Sequence, residues 1–245
     1  MGAGKMTNYR AWILTLVFVA LAVPAAAARN PDRIAITPAS ANAVIILKAE
    51  LLPIPPSYRT SYRINLKRYD PAAQRMLGGP FAGATFAATR SSFVDGYLIL
   101  EVQAGTYAFQ DMSRQDFWAL CFNDGSLQFT VRPGEVLYLG EMNVRRHVAE
   151  LQQLAVLTGR LSSRNNQPVH FFDGVTPPDF GPIDAASLAA VAAVVRARMP
   201  RTTVAPTAVE FAPARFGTGR DLFGLQRICG GYYQGEADRN DQSRR

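Results

Sequence analysis

From Tyr97 to Val144 the chain is cut by tight-turn signals into segments too short for anything but β-strands. YLILEV runs into Gln103-Ala104-Gly105, and TYAFQDM follows at once. SRQ leads to DFWALCF, Asn123-Asp124-Gly125 precedes SLQFTV, and Pro133-Gly134 precedes EVLYLGEMNV. The segments are rich in β-branched and aromatic residues, which pack well on a pleated surface. At Pro133-Gly134 the proline sets φ for the first turn position and the glycine accepts the positive φ of the second. The pattern reads as one meander, with corners at Ala104-Gly105 and Pro133-Gly134 and an Asn-Asp-Gly hairpin between them. In DFWALCF both alternating faces are apolar, so that strand belongs inside a sandwich.

The upstream region is also β. AVIILKAE (43–50) is a short apolar strand, stopped by LLPIPP because proline cannot donate into a ladder. SYRTSYRINLKRY (57–69) alternates with period two. Ser57, Arg59, Ser61, Arg63, Asn65 and Lys67 fall on one face, and Tyr58, Thr60, Tyr62, Ile64 and Leu66 on the other, as in a half-buried antiparallel strand. DPAAQRMLGGP (70–80) is a loop or short helical turn, and GATFAATR (83–90) a further strand. Beyond Val144, LAVLTGRL (154–161) and PVHFFDGV (168–175) read as two more strands. IDAASLAAVAAVVRARMP (183–200) reads as a helix: Asp184 can cap it, Leu188, Val191, Val194 and Val195 recur at helical spacing, and Pro200 stops it. Residues 201–234 read as an extended Gly/Pro-rich segment packed on the domain, and 235–245 as a disordered tail. The predicted fold is an antiparallel, Ig-like β-sandwich over 29–200 with one C-terminal helix (about 183–199).

The stretch Val44–Gly140 resembles bacterial secreted β-sandwich domains of unknown function, which carry an AGxY turn and a later PGEVxYLG turn. It does so through YLILEVQAGTYAF and FTVRPGEVLYLG, with the Tyr-rich basic strand before them and the aromatic-Cys strand between. The same devices occur in carboxypeptidase-regulatory-like and transthyretin-like sandwiches. The resemblance covers under half the chain. It implies an Ig-like sandwich and brings no catalytic residue with it.

Lys5 and Arg10 precede the apolar run AWILTLVFVALAV, and Pro24 and Ala26-Ala27-Ala28 follow it. That order is a secretory signal peptide over 1–28, cleaved after Ala28; the alternative is an uncleaved inner-membrane anchor. Arginine outnumbers lysine 23 to 3 and alanine is abundant. Both point to a GC-rich bacterial genome, and so to a periplasmic or secreted protein with no stable membrane span once cleaved. In such an oxidising compartment the two cysteines, Cys121 and Cys229, predict one disulfide, the alternative being two buried thiols. The signal segment holds two basic and no acidic residues, so its loss takes the net charge from +7 to +5. That balance permits an anionic partner, although no block of like charges points to nucleic acid.

Catalytic patterns are scarce. His147 follows Arg145-Arg146, where a further positive charge is disfavoured, and His170 shows no metal-ligand spacing with Cys, His or carboxylates. There is no GxSxG elbow, and Cys121 lies in an apolar strand that disfavours a thiolate. GGPFAG and FGTGRDLFG lack the context of phosphate loops. Glu101, Glu135, Glu141 and Asp173 lie near strand ends, and a carboxylate pair among them would suit a hydrolase. The best binding candidate is the wet face of the 57–67 strand. There Arg59, Arg63 and Lys67 recur every four residues, about 13 Å apart at the rise of a strand, flanked by Tyr62. The plainer reading is a solvated face, or an edge strand charged against aggregation. The expectation is therefore a non-enzymatic envelope protein without cofactor or metal, binding an anionic envelope component or an envelope protein. The alternatives are a hydrolase of an envelope polymer and an accessory subunit of an envelope complex.

Overall fold

The computed structural model describes residues 30–77, 83–115, 118–160, 170–217, 227–229 and 232–233. The expected signal peptide, the GGPFAG loop (but for Gly83), the 218–226 part of the Gly-rich segment and the expected tail lie outside them. The fold is mainly β, in two stacked sheets with two helices.

The strands in chain order are β1 (Asn42–Lys48), β2 (Tyr62–Asp70), β3 (Arg75–Met76), β4 (Gly83–Ala88), β5 (Phe93–Val94), β6 (Tyr97–Gln103), β7 (Gly105–Arg114), β8 (Trp118–Cys121), β9 (Ser126–Val131) and β10 (Val136–Glu141). Helix α1 (Val144–Leu157), β11 (His170–Phe172), helix α2 (Ala185–Arg198), β12 (Thr207–Ala208), β13 (Ala212–Ala214) and the small pair β14 (Arg227–Ile228) and β15 (Tyr232–Tyr233) follow. The smaller sheet has the order β12-β10-β1-β6-β5. In the larger sheet β11-β8-β7-β2-β3 lie in sequence, β4 extends β2, and β9 joins β7 to β13. Residues after 200 thus add a strand to each sheet.

Four layers follow from the side-chain pattern. Between the sheets, Ile45, Leu47, Leu98, Leu100, Leu137 and Leu139 of one meet Ile64, Leu66, Phe86, Phe109, Leu120 and Phe129 of the other. The opposite face of the smaller sheet carries Val44, Ile46, Ile99, Val136 and Tyr138, covered by Val191, Val195 and Met199. This is why AVIIL is apolar without interruption: β1 is buried on both faces. The opposite face of the larger sheet carries a smaller cluster of Ala108, Ala119, Cys121, Phe171 and Ala214, under Phe216 and Cys229. Cys121 and Cys229 form a disulfide, with 5.4 Å between their Cα atoms.

The turns differ from the expected meander. β6 belongs to the smaller sheet and β7 to the larger, so the Ala104-Gly105 corner carries the chain across the sandwich. Pro133-Gly134 carries it back, from β9 to β10. Both corners demand glycine on steric grounds. Gly105 has φ +147 and a Cβ there would lie 2.3 Å from the Arg68 guanidinium; Gly134 has φ +70 and its Cβ would lie 2.6 Å from the Thr37 carbonyl oxygen. Nor does Asn123-Asp124-Gly125 close a hairpin. β8 and β9 lie end to end along β7, pairing with residues 111–114 and 105–108 respectively, and the turn loops out between them. Pairing is also mixed: β1 with β10, β10 with β12 and β8 with β11 are parallel.

The 154–161 strand reading fails, because residues up to Leu157 complete α1. Asn143 caps that helix by accepting from the Arg146 amide, and Val144, His147, Val148, Leu151 and Ala155 form its buried face. Helix α2 matches its expectation. Asp184 and Ser187 form a capping box, and Arg198 grips Asp95 at the tip of the β5–β6 hairpin with two bonds of 2.8 and 2.9 Å. No helix among the described residues is long and apolar enough to cross a membrane.

Candidate functional site

The basic strand is β2, and it begins at Tyr62, not Ser57. Arg59 is exposed in the bend before it, so the expected row of three reduces to Arg63 and Lys67 with Asn65 between them. These three point away from the core and are half-buried. Their cross-strand partners on β4 are Ala87, Thr85 and Gly83. β2 is an interior strand, paired with β7 on one side and with β3 and β4 on the other. Its charges therefore do not guard an edge. Tyr62 is corrected as well. It faces inward, fully buried, and its hydroxyl donates to the Glu50 carbonyl at 2.7 Å. Burial pushes its phenol pKa upward, and no ligand at the surface can reach it.

Beneath the basic pair lies a residue the sequence reading did not select. The β2–β7 register shifts after Asn65, so that Gln110 is bulged out and Asp111 is turned to the same outer face. Thr85 Oγ1 donates to Asn65 Oδ1 at 2.8 Å, and Asn65 Nδ2 donates to Asp111 Oδ1 at 2.7 Å. Asp111 is 1% exposed, and its Oδ2 has no hydrogen-bond partner among the described residues. Its neighbour across the ladder is Cys121, and the Gln110 amide donates to the Cys229 carbonyl. Desolvation pushes the Asp111 pKa up to about 7, against the Asn65 bond and the Lys67 charge, which lower it. The only sequence signal is one acid, beside Gln110, between the apolar residues Phe109 and Met112.

This fixes a pH dependence. In the unfolded chain Asp111 titrates near 3.8, and in the folded chain near 7. Between those values the folded state holds a proton that the unfolded state has released, so stability declines as pH rises through that window. Asp111→Asn removes the titration while keeping the shape. Urea unfolding across pH 4 to 8 is expected to show the Asn variant gaining on the wild type as pH rises. A difference that does not vary with pH would refute the assignment.

His147 sits fully buried on α1, edge-on to Phe122. Its Nε2 accepts from the Asp179 backbone N–H at 3.1 Å, and its Nδ1 lies 3.7 Å from Glu150 Oε2. Glu150 Oε1 accepts from the Thr176 amide at 2.8 Å and from its hydroxyl at 3.0 Å. Burial is the main cause lowering the His147 pKa, with Arg146 a minor one, while Glu150 and Asp179 oppose it. The neutral ring thus ties segment 176–179 to the helix, which is a structural task. His170 lies on β11 opposite Trp118.

A cleft of about 400 Å³ brings together Glu50, Glu141 and Asp179. Each carboxylate is held by a cation: Glu50 by Arg145, Glu141 by Lys48 at 2.7 Å, and Asp179 by Arg146 at 3.0 Å. No group of three or more His, Cys, Asp or Glu that could hold a metal ion occurs among the described residues. Comparisons with protein-family models, curated proteins and solved structures found no match.

Proposed function

We propose that the chain is a non-enzymatic β-sandwich of the bacterial cell envelope that binds an anionic component on the outer face of its larger sheet. The observation that carries this reading is the placement of Arg63 and Lys67 on an interior strand, directly opposite Ala87 and Gly83. Both positions belong to an interior strand, so edge protection does not account for their charge. The carboxylates gathered in the cleft, of which only Glu141 is among those expected for a hydrolase, favour the same conclusion. All three in the cleft are ion-paired, whereas a general acid needs a carboxyl kept protonated by apolar surroundings or a like charge.

The test is binding of the secreted protein to phosphatidylglycerol vesicles and to polygalacturonate, at low and at physiological salt. Arg63→Glu with Lys67→Glu is expected to weaken binding to at least one of them by about tenfold or more, with a reduced salt dependence. Arg59→Glu, off the strand, is expected to have the smaller effect. If the double reversal binds both polyanions as tightly as the wild type, the reading is wrong.

A further inference from the structure

One segment is held to the rest of the fold through groups that titrate. Residues 176–181 (TPPDFG) run between β11 and α2, across α1 and the end of β10. Pro177 and Pro178 have no N–H to give, so the first backbone donors here are Thr176 and Asp179. Both go to α1: the Thr176 amide to Glu150 Oε1 at 2.8 Å, and the Asp179 amide to His147 Nε2 at 3.1 Å. Arg146 on the same helix pairs with Asp179 at 3.0 Å. Further along, the Gly181 amide donates to the Glu141 carbonyl at 2.9 Å, and the Phe180 ring lies 5.2 Å from that of Phe109. The segment is thus a strap. Its Asp179, Phe180 and Gly181 also form one wall of the cleft of about 400 Å³.

The His147 bond exists in one protonation state only. Nε2 accepts, so it carries no hydrogen, and the single proton of the neutral ring sits on Nδ1. Nδ1 lies 3.7 Å from Glu150 Oε2, and both atoms are buried without a hydrogen-bond partner among the described residues. A second proton must go to Nε2. There it sets one donor against another, the Asp179 N–H, on a fully buried ring. On the far side of the ring it turns the Nδ1–H and Glu150 into an ion pair. Acid thus strengthens the ring's hold on its own helix and cancels its hold on the strap. Among the described residues, the charged groups acting on the ring are Glu150 from α1 and Asp179 from the strap, which favour the proton, and Arg146 from α1, which opposes it. Phe122, edge-on to the ring, brings no charge. Burial outweighs Glu150 and Asp179 and holds the ring's pKa below its usual 6.5 while the strap is closed.

We infer that residues 176–181 are an acid-released strap: protonation of His147 frees the Asp179 amide, and the segment lifts from α1, opening the cleft and uncovering the Phe109 ring. The regulator is the proton itself. A ring released from the strap is solvated and titrates near its usual value, above that of the closed state, so the open form binds more protons. Opening therefore becomes easier as pH falls below about 6.5 and stays costly above it. The inference goes beyond the anionic-partner reading and does not depend on it, since no residue of β2 takes part.

The test is NMR on the full chain. At pH 7.5 the ring-nitrogen shifts of His147 are expected to report the Nδ1–H tautomer. The Nε2–H tautomer would overturn the inference, because that nitrogen could not accept from Asp179. Between pH 7.5 and pH 5 the hydrogen-exchange protection factors of the Asp179 and Gly181 amides are expected to fall together, by about threefold or more. His147→Gln does not titrate and should show no such fall. Glu150→Gln keeps an acceptor for Thr176 but removes a charge that favours the proton, so it should move the fall to lower pH. A ring with only a structural task gives neither the fall nor the shift. Flat protection in the wild type, a fall that persists in His147→Gln, or an unmoved midpoint in Glu150→Gln would each overturn the inference.

Discussion

Cys229→Ala is expected to lower the unfolding free energy by about 4–5 kcal/mol on the chain-entropy estimate for a long loop. The two cysteines lie 108 residues apart in sequence, so the bond removes a large share of the freedom of the unfolded chain. It also pins residue 229 in the cluster of Ala108, Ala119 and Phe171 on the outer face of the larger sheet. Urea denaturation of the oxidised protein against the variant checks this through the midpoint. Reductant should lower the wild-type midpoint and leave the variant unmoved. A difference under about 1 kcal/mol would mean that the bridge constrains nothing the fold does not already hold.

Phe109→Ala should be the costliest single truncation in the main core, at about 3–5 kcal/mol. Phe109 is fully buried on β7. Its ring lies 5.9 Å from Phe129, 5.2 Å from Phe180 and 6.0 Å from Phe211, centroid to centroid. Phe180 and Phe211 are only partly buried, lie outside the strands, and have their tilted rings 4.8 Å apart, centroid to centroid. Deleting the ring beneath them removes the floor on which both rest, so the loss spreads beyond one cavity. Phe109→Leu, which keeps most of the volume, should cost well under half as much. Equilibrium unfolding of the two variants checks the ranking, and equal losses would contradict it.

The strands were legible because their period of two is a local signal, and β2 shows it best. Tyr62, Ile64 and Leu66 face inward while Arg63, Asn65 and Lys67 face outward. What escaped was of two kinds. The end of helix α1 resembles a strand because LAVLTG, with its Val and Thr, shows no helical spacing in isolation. Its helical spacing appears only when Val144, Val148 and Leu151 are read with Ala155. The other misses are non-local. A glycine corner has the same chemistry whether it closes a hairpin or crosses between sheets. Nothing near Val44 announces a parallel neighbour at Val136. The candidate site shows the same division. Arg63 and Lys67 followed from alternation, but Asp111 depends on a bulge that turns Gln110 out of register, and the bonds of His147 and Glu150 to the strap join residues 32 and 26 positions apart.

The two glycine corners have a consequence for the order in which the domain can be assembled. In the smaller sheet β1 lies between β6 and β10, and the corners at Gly105 and Gly134 lead out of one neighbour and into the other. Gly134 N–H donates to the Asn42 carbonyl, at the start of β1. A chain made from its N-terminus delivers β1 first and β10 much later. Until Val136–Glu141 has emerged, the apolar strand NAVIILK has at most one of its two partners. Long-range pairing of this kind slows folding and leaves strand edges exposed in the interval. A strand buried on both faces at the end is thus the one that waits longest, and synthesis is the stage at which this chain is most open to the wrong neighbour.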